Sequence, residues 1–389
     1  MPVEELLIVG TLGGGGIHRY VEAQKRHLEP HLDVSVHDMY SEAGGSGPAW
    51  LVRSLVFGLL AALRFPLRSR PDVVHVHTSH EYSFLRAAPY VLFAAFVWRR
   101  PVVVHVHGSS FDEFVRTESA ALAWLQRTVF DAADAVVVLS EYWRTALADV
   151  APEDRVRVVP NAIVPEEYEA GAGADPPHVV FLSNLFERKG VPAFVDAVDE
   201  LLSSPAPPVR VSVAGDGTLA DEVVDLAERH DAVTYHGYVS ETEKHELLSS
   251  GSVYVLPTHA EGLPIAMLEG MAGANAVVST AVGSIPEVIG PENGRLVTPG
   301  DADELAAVLA DLVDDPETVA AMGRRNRALV AEEYAWETVT ETLLALYEAV
   351  ARGEAAAGRD GAPAEVGEEA GADGATGAGA AAGSGPGGR

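Results

Sequence analysis

Two glutamates, Glu261 and Glu269, stand eight residues apart on either side of Pro264. The run Glu261-Gly262-Leu263-Pro264-Ile265-Ala266-Met267-Leu268-Glu269 follows an apolar stretch, Ser252 to Leu256, and a short turn at Pro257-Thr258. Proline suits the first helical turn, where its missing N–H would be unpaired in any case. A strand, a loop and a helix closing near Gly273 are therefore expected, with Glu261 on the loop and Glu269 inside the helix. The free N–H groups of Ile265 and Ala266, at the positive end of the helix dipole, form an anion site behind Gly262 and Leu263. Carboxylates beside a bound phosphate accept hydroxyl hydrogens, so the arrangement fits a sugar nucleotide. The same residues also fit an ordinary strand-turn-helix with two solvated glutamates.

Other residues offer related chemistry. Lysine is rare, at positions 25, 189 and 244 only. Lys189 closes the run Phe181 to Gly190, after an apolar strand and before a helix opening near Val191-Pro192. A flexible ammonium there suits a diphosphate, and a solvated surface lysine is the plain alternative. Gly13 to Gly16 follow a first strand and precede a helix, so a backbone could approach a phosphate there. They do not form a dinucleotide fingerprint, because a frame started at Gly13 and Gly15 ends on His18. His75 and His77, and His105 and His107, each share one face of a strand. A metal would need a third ligand that the sequence does not offer, so no metal site is expected and His75 and His105 are read as core residues.

Beyond the glutamates come Ala276 to Ser279, Gly283 to Glu287, and Asn293-Gly294-Arg295 with Pro299-Gly300-Asp301. This order resembles the retaining glycosyltransferases of family 4, which carry a Glu-x7-Glu signature. The resemblance covers about Ile8 to Val350. It implies a GT-B architecture and no metal requirement. It implies a nucleoside-diphosphate sugar of UDP or GDP type as donor substrate, and no cofactor. By the same resemblance Glu261 faces the donor sugar and Glu269 holds the ribose. Gly15 and Gly16 lie beside the diphosphate, which Lys189 grips. His107 lies near the donor sugar, and His18 and Arg19 face the cleft on the acceptor side. Asp112 is assigned to the acceptor, and the backbone near Tyr238 to the base. The family commonly has arginine where this chain has Asn184. That removes one cation; either Arg188 or another group replaces it, or backbone amides and Lys189 hold the phosphates.

The elements that must position these residues are legible as short apolar strands separated by helical stretches. That alternation argues for an α/β chain with two Rossmann-like, doubly wound parallel sheets facing a cleft. An N-terminal half at 1–163, a Gly/Pro-rich linker at 164–177 and a C-terminal half at 178–335 are expected. A last helix at 336–352 is expected to pack back on the first half. Residues 353–389 are mainly Gly, Ala and acids and read as a disordered tail.

The chain has 389 residues, no cysteine and a formal net charge of −30. Disulfides and cysteine-based zinc sites are thereby excluded, and nucleic acid is not an expected partner. No signal peptide is evident, so a cytoplasmic place is expected. Between Trp50 and Arg100 the balance reverses, with seven arginines against Asp72 and Glu81 among two apolar runs. That mixture suits peripheral contact with an anionic membrane or a lipid-linked acceptor. Buried Rossmann helices with solvated arginines are the alternative. For the whole chain, a sugar transferase making cell-surface polysaccharide, lipid-linked glycan or glycoprotein is the first reading. A GT-B nucleotide-sugar 2-epimerase, a sugar-nucleotide-binding subunit without turnover and a nucleotide-dependent oxidoreductase are its rivals.

Overall fold

The computed structural model describes residues 2–13, 16–39, 48–171, 174–204 and 208–354; Gly15 and the tail from 355 lie outside them. Two six-stranded sheets, all parallel, make up the two halves. The first holds β1 (Glu5–Gly10), β2 (Asp33–Asp38), β3 (Val73–Thr78), β4 (Val102–Val106), β5 (Ala135–Val138) and β6 (Val156–Val158) in the order β2-β1-β3-β4-β5-β6. The second holds β7 (His178–Leu182), β8 (Arg210–Ala214), β9 (Val233–Gly237), β10 (Val253–Leu256), β11 (Ala276–Thr280) and β12 (Gly294–Val297) in the order β12-β11-β10-β7-β8-β9. Strands covered on both faces have no polar side to show, which is why β4, β5 and β10 read as near-continuous apolar runs.

In each sheet the strand order reverses once, between β1 and β3 and between β7 and β10. Loops diverge at such a point and open a crevice beyond the strands' carboxyl ends. The loops that follow β7 and β10 carry Lys189 and Glu261 respectively, so the strand order alone brings them together.

The chain crosses between the halves twice, and the crossings are tied to each other. The N–H of Ile163 donates to Tyr334 O at 2.9 Å, and the N–H of Trp336 donates to Ile163 O at 2.9 Å. Beyond this bridge the helix Trp336–Ala351 lies on the first sheet, where Trp336, Leu343 and Tyr347 share a core with Ile8, Tyr20 and Val103. Apolar packing also continues across the seam, joining Leu139 and Trp143 to Leu263 and Met267.

In the 50–100 region the helix Tyr82–Phe93 is buried, with Phe84, Tyr90 and Val91 in the core, while the helix before it is not. The helix Pro48–Arg64 exposes Val52, Leu59 and Leu63 by about three-fifths each, and Leu67 just after it by 83%. Phe96 and Val97 are exposed at the end of the following helical segment. Among the described residues no helix is long and apolar enough to cross a membrane.

Candidate active site

The loop after β7 makes one turn of 3-10 helix, Glu187–Lys189, and ends on Gly190 with φ +76°. A side chain is impossible at Gly190, because a Cβ would stand 1.9 Å from Pro257 O in the loop after β10. The two loops are therefore in direct backbone contact. Thr258, fully buried, donates its hydroxyl to Arg188 O at 3.0 Å, and the N–H of His259 donates to the same oxygen at 2.8 Å. This contact seats the Lys189 ammonium on Glu261 Oε1 as an ion pair. Arg188 lies 4.0 Å from the same oxygen and donates to Ala260 O at 2.6 Å and Ser109 Oγ at 3.4 Å. The second cation at this site comes from Arg188, while Asn184 is exposed on the same loop.

The helix behind the loop spans Ile265–Ala272, with Pro264 at its N-cap, one position ahead of the helical turn expected for it. Ile265 and Ala266 are half-buried residues, and their N–H groups, the first of the helix, have no intrahelical acceptor. Leu263 is buried in the seam, its carbonyl accepting from Asn161 Nδ2 at 2.6 Å. Gly262 O accepts from Trp143 Nε1 at 3.3 Å. Both bonds come from the first half and fix the loop across the cleft. Gly283, with φ +54°, packs behind it, where a Cβ would meet Glu261 O at 2.0 Å.

Glu269, within this helix, is buried and paired with Lys244 Nζ at 2.6 Å. Lys244 also meets Glu241 Oε2 at 2.6 Å. Burial opposes the Lys244 charge, but the carboxylates of Glu269 and Glu241 outweigh it and hold the ammonium above the usual lysine range. The buried Tyr168 phenol also faces Glu269; burial first, then that carboxylate, pushes its pKa up. Neither Lys244 nor Tyr168 was singled out from sequence. The scarcity of lysine was the available signal for Lys244, since two of three lysines pair with these two glutamates.

On the opposite wall, β4 ends at Val106, and His107 follows it half-buried. Gly108 O lies 3.6 Å from where a Gly262 Cβ would stand, so the ends of β4 and of the Glu261 loop face each other. Parallel pairing sets His77 opposite His105 and so gathers both histidine pairs. His75, His77 and His105 place ring nitrogens within 4.8 Å of one another, which corrects the expectation that no third nitrogen was at hand. These nitrogens are already committed: His75 to Tyr347 and His105, His77 to Gln24 and His107. Only His105 Nε2 is without a partner among them.

The remaining expected residues are spread along the cleft. Gly16 opens the first helix, Gly16–Leu28, with open space where its side chain would be. His18 pairs with Glu22 at 3.5 Å. Arg19, expected on the acceptor side of the cleft, reaches across it to Tyr238 Oη at 3.3 Å and Glu241 at 3.9 Å. Asp112 accepts from Tyr142 Oη at 2.9 Å. Glu287 bridges the halves. Its carboxylate accepts from Ser140 Oγ at 3.1 Å, Glu141 N at 3.0 Å and Tyr142 N at 2.5 Å, capping the helix Glu141–Ala146.

Residues 11–162 match the glycosyl transferase 4-like domain family, and residues 176–315 match the family described as glycosyl transferases group 1. The chain is 30% identical to the alpha-maltose-1-phosphate synthase of Mycolicibacterium smegmatis, over 87% of this chain and 96% of that one. Its fold is shared with sucrose-phosphate synthase from Thermosynechococcus elongatus, at a TM-score of 0.73 and 18% identity, covering 90% of this chain and 100% of that one. Anabaena HepE, in complex with UDP and glucose, has the same fold at a TM-score of 0.67 and 18% identity, covering 89% of this chain and 100% of HepE.

Proposed function

The chain belongs to the group 1 glycosyltransferases, GT-B in fold and family 4 in type, and from that premise we propose a retaining transfer of a sugar from a nucleoside diphosphate to a hydroxyl acceptor. The observation that carries this reading is the pairing of Lys189 with Glu261 and of Lys244 with Glu269 at the β7/β10 switch point. A diphosphate entering there meets Lys189, Arg188 and the free N–H groups of Ile265 and Ala266. Its negative charge draws Lys189 off Glu261. The freed carboxylate then accepts hydroxyls of the donor sugar, while Glu269, held by Lys244 and Tyr168, keeps an oxygen for the ribose. As the bond to the sugar breaks, charge grows on the leaving diphosphate, and preorganised cations stabilise it most at that moment. These groups are proposed to act in place of a metal.

His107, across from Glu261, is proposed to contact the sugar or the attacking hydroxyl. Retention follows if the acceptor attacks on the face that the diphosphate leaves, which asks the protein for positioning and charge stabilisation. The exposed apolar side chains between Val52 and Leu67 and at Phe96-Val97, with arginines in the same stretches, support an acceptor presented at an anionic lipid surface, with the protein peripheral to it. Calorimetric titration with UDP, GDP and ADP, repeated on Glu269→Ala and Lys189→Ala and followed by a transfer assay with the sugar form of the base selected, tests the reading. Binding of one diphosphate that both substitutions weaken at least tenfold is expected. Release of free nucleotide from the donor without an acceptor, with a 2-epimeric sugar as product, would favour the epimerase instead.

A further inference from the structure

The mechanism above uses His107 but not the buried groups behind it. Gln24 lies fully buried in the helix Gly16–Leu28, and its amide meets three rings. Its Oε1 is 2.8 Å from His77 Nε2, and its Nε2 is 3.0 Å from Tyr347 Oη and 3.2 Å from His75 Nδ1. His77 Nδ1 is in turn 2.8 Å from His107 Nε2. The chain Tyr347–Gln24–His77–His107 thus leads from the last helix to the carboxyl end of β4.

Neutral imidazole has one N–H and one acceptor nitrogen, so hydrogen bonds decide which is which. Burial keeps these rings neutral, holding His107 down at about 3 and His77 well below its ordinary value. Gln24 Oε1 can only accept, so His77 Nε2 carries the hydrogen. His77 Nδ1 is then an acceptor, and His107 must donate to it from Nε2. What remains on His107 is Nδ1, an acceptor on a half-buried ring at the cleft. The other end of the amide agrees with this orientation. Gln24 Nε2 donates to Tyr347 Oη, and Tyr347 donates to His75 Nδ1 at 2.6 Å. His75 Nε2 is left to donate to His105 Nδ1 at 3.3 Å. Turning the Gln24 amide over would reverse the proton on both His77 and His107, so this one residue decides the polarity of the chain.

We infer that Gln24 is a positioning residue for transfer: through His77 it fixes the His107 proton on Nε2 and leaves Nδ1 to accept a hydroxyl hydrogen of the donor sugar or the acceptor. The inference deepens the role proposed for His107 and rests on it.

The tautomers are read directly from a long-range 1H–15N spectrum of 15N-histidine-labelled protein, with His107 assigned by the signals lost in His107→Ala. A protonated Nε2 and a bare Nδ1 are expected; the opposite tautomer overturns the inference whatever the kinetics show. In transfer assays Gln24→Met should lower kcat about tenfold or more and move donor KM less than about twofold, because orientation is lost and binding is not. Gln24→Glu keeps an acceptor on His77 and should retain the His107 tautomer and most of kcat. In a His107→Ala background Gln24→Met should cost nothing further. An equal loss with and without His107 would mean that Gln24 does not act through that ring. If Gln24→Met does not fold, the wild-type spectrum and Gln24→Glu still decide. Full turnover by His107→Ala would instead remove His107 from the site, an outcome separate from those that test Gln24.

Discussion

Lys244 Nζ lies 2.6 Å from Glu269 Oε1, and both side chains are buried. The pair repeats the contact of Lys189 with Glu261. A buried carboxylate needs such a partner, since the cost of taking it out of water is met only by a close, hydrogen-bonded opposite charge.

Removing Lys244 should therefore hurt twice. Lys244→Met leaves Glu269 buried and unpaired, which costs about 3–5 kcal/mol. Urea unfolding should show that loss, and diphosphate affinity should fall with it as Glu269 loses its orientation. Lys244→Met combined with Glu269→Gln should be the more stable protein, because no buried charge is then stranded, yet it should still bind nucleotide poorly.

Lys189 and Arg188 should differ in their weight on turnover. Loss of a preorganised group that meets developing charge costs about 10²–10³ in kcat. Lys189→Ala should show that loss in steady-state transfer. Arg188, half-exposed and 4.0 Å from Glu261, should cost less. Equal losses from both would mean that Arg188 meets the leaving group as closely as Lys189 does.

Glu287 caps a helix that belongs to the other half of the molecule. Glu287→Ala should remove about 1 kcal/mol of stability, the ordinary value of a lost cap. Because the cap bridges the halves, the donor-free protein should also open. Small-angle scattering should record a larger radius of gyration for the variant, returning toward the wild-type value when diphosphate is added.

The four histidines around β3 and β4 should shape the acid side of the stability curve. Burial holds His75 and His107 at about 3, and His77 and His105 well below the ordinary value. The unfolded chain takes up protons on them below about pH 6.5, and the folded chain does not until far lower. Their contribution is thus complete above about pH 6.5 and is lost as pH falls toward the folded values. Each ring held neutral adds about 1.4 kcal/mol per pH unit to the slope in that window. The urea midpoint should be flat from about pH 8 to 7 and should fall between about pH 6.5 and 5. His75→Gln should make the fall shallower.

The apolar surface around Leu59, Leu63 and Leu67 is exposed beside arginines in a chain of net charge −30. Flotation with phosphatidylglycerol vesicles should carry the protein upward, and phosphatidylcholine vesicles should not. Leu59→Ser with Leu63→Ser should abolish flotation and leave diphosphate binding unchanged. Flotation with both lipids would mean that apolar burial alone drives the contact.

The sequence by itself determined the two parallel sheets, because strands buried on both faces must be apolar runs and their helices must alternate with them. It also marked the Glu261 loop and Lys189, since a proline-opened helix after a strand and a rare lysine at a strand end are local features. The partners of those residues were decided only by tertiary structure. Tyr168 and Lys244 approach Glu269 from segments about a hundred and about twenty-five residues away. Arg19 meets Tyr238 across the cleft, and Gln24 reaches His77 and Tyr347 through a sheet register and a returning helix. Spacing along a chain reports what one helix or strand can bring to one face. The order of strands in a sheet and the closure of two halves set every contact beyond that.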